Sequence, residues 1–151
     1  MLEGFGSIVF AVVTAVAANA APPMPVVVVH APNADLHLEV AVTSAQQERG
    51  LMGRTAIAPH AGMLFVFDTD ERVEFWMKNT LVPLDMIFVG ADGKVRTVFR
   101  NVATAPPALP DADIPREGAT AKYVIELGAN EADRDGIRAG VRLAIPNVLP
   151  P

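Results

Sequence analysis

The sequence predicts a mainly β α+β domain, a small curled-sheet or barrel-like body of about six or seven short strands with two short helices. Three observations predict it. Apolar segments are short, and several alternate with polar residues at a period of two, as in Leu36-His37-Leu38-Glu39-Val40. Tight-turn residues separate them, Ala91-Asp92-Gly93-Lys94 being the clearest hairpin signal. Helix-start patterns stand only at Ser44-Ala45-Gln46-Gln47 and at Asn130.

At 151 residues the chain has the size of one domain, and with no Cys it has no disulfide, thiol chemistry, Cys-based zinc site or lipid-bearing cysteine. A formal net charge of −5 without a basic run excludes nucleic acid as an expected partner. Gly4 to Ala34 carries no charge beyond a possible one on His30, and it contains the apolar run Ile8 to Ala18. Ala18-Asn19-Ala20 then offers a small-x-small cleavage pattern, although the segment before the run carries Glu3 where a basic residue is usual. Residues 1–20 are therefore expected to be a signal peptide, and the protein to be exported, periplasmic or extracellular. A short membrane anchor is the alternative, and it would be the only membrane contact.

Residues 21–34 hold four prolines and read as a linker in which Val26 to Val29 could lie along the domain as an edge strand. Residues 35–151 then form a single globular domain. Leu36 to Thr43 is a half-buried strand with Leu36, Leu38, Val40 and Val42 inward and His37 outward. Ser44 and Gln47 make a capping-box pattern for a helix through Arg49, closed by Gly50. Gly62 to Phe67 lacks alternation, as a strand buried on both faces would. Asp68-Thr69-Asp70-Glu71 is expected to turn the chain, lacking the spacing of a calcium loop, and Glu74 to Asn79 to return as the next strand. Phe75 and Met77 then share one face, and Glu74, Trp76 and Lys78 the other.

Beyond the turn Asn79 to Pro83, Leu84, Met86 and Phe88 supply core while Asp85 and Ile87 point away. Val95 to Val102 is a further strand. The Pro-rich stretch Ala103 to Ala119 is long for a loop and is either mobile or a cover. Lys122 to Leu127 places Tyr123, Ile125 and Leu127 opposite Lys122, Val124 and Glu126. Asn130 caps a helix to Arg138 that Gly140 stops, and Val141 to Ile145 is the last strand.

Five blocks carry a resemblance: Arg49-Gly50-Leu51-Met52-Gly53-Arg54, Gly62-Met63-Leu64-Phe65-Val66-Phe67, Phe75-Trp76-Met77-Lys78-Asn79-Thr80, Pro83-Leu84-Asp85-Met86-Ile87-Phe88 and Tyr123-Val124-Ile125-Glu126-Leu127. In order and spacing they resemble the family catalogued as domain of unknown function 192, over about Leu36 to Pro146. The resemblance implies a small, mainly β protein, commonly with an exported N-terminus, and no established activity. The chain departs from the family pattern at Gly140-Val141, where members usually carry Gly-Asp.

The candidate ligand-binding residues are Arg54, Trp76, Lys78, Asn79, Asp85 and Glu126. One reading is an envelope binding module: Trp76 offers an aromatic face, and Arg54, Lys78 and Asn79 offer donors to a saccharide, carboxylate or phosphate. The structural alternative is a Lys78–Asp85 ion pair that fixes the turn, with the Trp76 face packing on the Lys stem or docking an envelope protein. A third reading is a hydrolase using Asp85 and Glu126 as a carboxylate pair. No nucleophile motif is present, and His30, His37 and His60 are isolated, with His60 expected at the surface. No catalytic residue, metal or cofactor is therefore assigned.

Overall fold

The computed structural model describes residues 23–148; the expected signal peptide, residues 1–20, lies outside the described residues. Among the described residues the chain forms strands β1 (Val26–His30), β2 (Asp35–Ala41), β3 (Ala61–Trp76), β4 (Leu84–Val89), β5 (Val95–Val102) and β6 (Arg116–Gly128), with helices α1 (Ser44–Arg49) and α2 (Glu131–Arg134). One mixed sheet holds all the strands in the order β1-β2-β3-β6-β4-β5. Only β2 and β3 run parallel. The sheet stays open, so the mainly β α+β class stands while the closed-barrel variant is not formed.

The sheet divides two apolar cores. Along the central strands Leu64, Val66, Ile87, Val89, Ile125 and Leu127 face one core, while Met63, Phe65, Met86, Phe88 and Val124 face the other. A strand covered on both sides has no polar face to show, which is why Gly62 to Phe67 reads as a continuous apolar run. The same geometry corrects the reading of β4: Asp85 and Ile87 do not point away to solvent but into the first core, and all of β4 is buried. Ala132, Ile137 and Leu143 cover the first core. Leu51 beyond α1 and Ala105, Leu109 and Ile114 of the Pro-rich segment cover the second, so that segment is a cover over apolar side chains.

The expected hairpin at Asp68 to Glu71 is absent. β3 runs through it as one strand, because β6 continues to pair with Glu71 to Trp76 after pairing with Gly62 to Val66. The residues between Val66 and Glu71 lie opposite the single residue between Tyr123 and Ala121, so the acidic stretch is an exposed bulge. Polar turn composition served a bulge here. Gly62 secures the start of the pairing: a Cβ at that position would run into the backbone carbonyl oxygen of Glu126.

Four smaller expectations shift. Val26–His30 joins the sheet as its edge strand, antiparallel to β2, so the sheet begins inside the expected linker. The capping box of α1 sits one residue earlier: Thr43 Oγ1 accepts from Gln46 N–H, and Gln46 Oε1 accepts from Thr43 N–H. Asn130 makes no side-chain cap but takes a left-handed φ of 70°, and α2 ends at Arg134 ahead of Gly136 (φ 74°). Val141 to Ile145 forms isolated bridges to His30 and Lys94 in place of a strand.

Candidate functional site

The six candidate residues do not converge. Asp85 is fully buried, and its carboxylate accepts from Asn101 N–H and Ala132 N–H, both at 2.9 Å. The first donor exists because β5 slips its register between the partners of Leu84 and Met86, leaving the Asn101 N–H outside the ladder and beside Asp85. Asp85 therefore ties the end of β5 and the start of α2 to β4. Its expected partner, Lys78, lies elsewhere: its ammonium contacts Asp111 at 2.9 Å and stands 4.8 Å from the Trp76 ring centroid. The Lys78–Asp85 pair is thus corrected to Lys78–Asp111, in which the Pro-rich cover takes the cation. Arg116 is a second cation at 4.9 Å from the same ring.

Asn79 is a backbone element, with a φ of 52° and a carbonyl that accepts from Gly53 N–H at 2.9 Å. Arg54 makes a bidentate pair with Glu39, and that contact holds the guanidinium firmly charged. It borders a second cavity, of about 610 Å³, shared with Met24 and Gln46.

Trp76 and Glu126 are the two candidates that meet. Both line a cavity of about 360 Å³ between α1 with its following turn and the bent strand β3. Gln47, Gly50 and Met52 form one wall, Phe65, Phe67, Phe75 and Trp76 the other. The aromatic wall is braced by edge-to-face packing, Phe65 on Phe75 at 4.7 Å and Phe75 on Phe88 at 6.1 Å between centroids. Phe65, Phe67 and Phe75 stand at even spacings along β3, and all three pack in the second core.

Glu126 is 4% exposed and makes no side-chain hydrogen bond among the described residues. Gly50 lies beside it, where a Cβ would stand in ordinary contact at 3.6 Å from Glu126 Oε2. Burial without a compensating donor pushes the carboxyl up to about 8, so at neutral pH it carries its proton. The cavity floor is then a neutral O–H donor. Strand register also separates the two buried acids. Asp85 lies opposite Leu127 and Met86 opposite Glu126, and paired residues share a face, so Asp85 and Glu126 point to opposite sides of the sheet. The expected carboxylate pair for hydrolysis is not formed.

A second polar cluster stands where the chain enters β3. His60 Nδ1 contacts Asp135 Oδ1 at 2.7 Å and lies 3.7 Å from Glu131 Oε2. His60 is therefore engaged, not the isolated surface histidine expected, and its φ of 56° marks a constrained turn. Burial raises the Asp135 carboxyl, and the His60 hydrogen bond opposes that rise.

Fold and site together define a small open-sheet protein with an aromatic cavity over a buried carboxyl that is unpaired among the described residues. The chain belongs to the domain of unknown function 192 family (DUF192, "Uncharacterized ACR"), whose model matches residues 26–145. It is similar to a protein from Sinorhizobium meliloti 1021 described as a candidate transcription regulator, at 38% identity and a TM-score of 0.68, with 81% of this chain and 95% of that one covered. It is also similar to a protein of unknown function from Novosphingobium aromaticivorans DSM 12444, at 32% identity and a TM-score of 0.68, with 83% and 94% covered. No curated protein matches it.

Proposed function

We propose that the protein is a binding module whose ligand sits in the Phe65–Phe75–Trp76 cavity and accepts a hydrogen bond from Glu126. The supporting observation is Glu126 itself, a buried carboxyl that has no hydrogen-bond partner among the described residues and faces a lined cavity. Such a group costs stability when nothing solvates it, and a ligand oxygen would compensate. The ligand class follows from the walls: a small molecule with an apolar or stacking face, such as a saccharide ring, and one acceptor oxygen. Phosphates fit poorly, since Glu48 and Glu74 line the cavity and Arg49 is the only cation among its described lining residues. In an exported protein the ligand would come from the envelope or the medium.

A partner-docking role at Trp76 has less support, because Trp76 is itself half-buried and the exposed large apolar residues among those described are Val26, Val28 and Leu81. Nor does the regulator description of the Sinorhizobium protein bring nucleic acid to this acidic chain, whose formal charge is −5.

Trp76, the only Trp of the chain, borders the cavity and reports its occupancy by fluorescence. Saccharides, neutral aromatics, aliphatic acids and phosphates are screened at pH 6 and pH 9 by Trp emission and thermal shift. A saccharide or neutral probe is expected to move both signals, to bind at least about tenfold weaker in Glu126→Leu, and to weaken at pH 9. If no neutral probe moves either signal, or Glu126→Leu binds as well as the parent, the reading fails.

A further inference from the structure

We propose that His60, Glu131 and Asp135 form a binding site for a divalent transition-metal cation of the zinc type. Each residue offers one donor atom, and the three donors lie within 4.8 Å of one another. Ligands held about 2.0–2.2 Å from one zinc ion stand roughly 3 to 3.5 Å apart. The separations from His60 Nδ1, 2.7 Å to Asp135 Oδ1 and 3.7 Å to Glu131 Oε2, bracket that range, so sub-ångström adjustments would admit the ion.

The second observation is Asp135 Oδ2. The residue is fully buried, yet this oxygen has no hydrogen-bond partner among the described residues. The His60–Asp135 contact uses only Oδ1 and so leaves that oxygen unexplained. A cation bridging the cluster supplies the missing charge. Glu131 would coordinate through a second lone pair of Oε2, which also accepts from His60 N–H at 3.1 Å, since the Arg134 guanidinium holds Oε1 at 2.7 Å.

Access is one-sided: the His60 side chain is 46% exposed, while those of Glu131 and Asp135 are 7% and 0% exposed. Solvent water can complete the coordination from the His60 side. One imidazole with two carboxylates suits zinc, manganese or nickel better than magnesium or calcium, which prefer oxygen ligands throughout. The site is separate from the aromatic cavity, because Ala132 and Ile137, which flank it in sequence, pack in the core on the other face of the sheet.

The test is isothermal titration of the untagged, chelator-treated full chain with zinc chloride and, separately, magnesium chloride. One equivalent of zinc is expected to bind, at least tenfold more weakly in His60→Ala and in Asp135→Asn. His30→Ala is expected to leave zinc binding unchanged, although His30 makes a comparable 2.6 Å contact with Asp35. If Asp135→Asn does not fold, His60→Ala decides, because its half-exposed side chain can be removed without opening the core. Absence of zinc binding by the folded parent, equal affinity in His60→Ala, loss of binding in His30→Ala, or magnesium binding as tight as zinc would each overturn the proposal.

Discussion

Asp85 and Glu126 lie on neighbouring strands, and each is less than a twentieth exposed, yet the sheet treats them in opposite ways. Asp85 faces the first core and has a backbone donor at each oxygen; Glu126 faces the second and has none among the described residues. A buried carboxylate with both oxygens satisfied joins elements of the fold. One left without a donor beside a cavity is a standing cost that a ligand can relieve. The difference separates architecture from site in this protein more sharply than residue type does, since both acids are candidates on sequence alone.

The largest effect that would break this comparison is the pH dependence of Glu126. Unfolded, the carboxyl ionises near its ordinary 4.5, whereas in the fold it keeps its proton to about 8. Between those values the unfolded chain sheds a proton that the native chain retains, so native stability falls as pH rises and levels off above the folded value. The loss is expected to reach at most about 5 kcal/mol. Urea unfolding of parent and Glu126→Gln at intervals from pH 4.5 to 9 measures it, and the variant should lose most of the slope. A parent and a variant with the same profile would mean that Glu126 is solvated.

Removing Asp85 comes next. Asp85→Ala leaves Asn101 N–H and Ala132 N–H unpaired in the interior and is expected to cost about 3 kcal/mol. Glu126→Gln at pH 7 should instead raise stability, by up to about 3 kcal/mol, because Gln carries no proton that the fold must retain against ionisation in the unfolded chain. Equal losses in the two variants by urea unfolding would erase the distinction drawn between them.

The smallest expected effect sharpens the role of the turn. Lys78→Ala should lower stability by under about 1 kcal/mol, since its contacts with Asp111 and the Trp76 ring are partly solvent-exposed. It should also leave ligand binding in the cavity intact. A large loss of binding would return Lys78 to the site.

Much of the fold is legible in local pattern. The alternation at Leu36 to Val42, the unbroken apolar run at Gly62 to Phe67 and the Ala91 to Lys94 turn correspond to β2, the first half of β3 and the β4–β5 connection. The hairpin assigned to Asp68 to Glu71 failed because a bulge and a turn draw on the same exposed polar residues. Only pairing with β6 tells them apart. Of the site, the Trp76-bearing strand and Glu126 were readable as candidates, while the Phe65–Phe75 wall read only as core. His60 offered no signal, since its partner Asp135 stands 75 residues further along the chain.

Local pattern therefore determined the class of fold and the two faces of β2, of β4, of the first half of β3 and of the second half of β6, because side-chain alternation and turn chemistry act between residues a few positions apart. The tertiary structure decided which polar groups are satisfied. Asp85 finds Ala132 N–H across 47 positions, Lys78 finds Asp111 across 33, and Glu126 finds no donor among the described residues. Hydrogen-bond satisfaction depends on which distant backbone and side-chain groups the sheet brings within about 3 Å, and no local pattern encodes that distance.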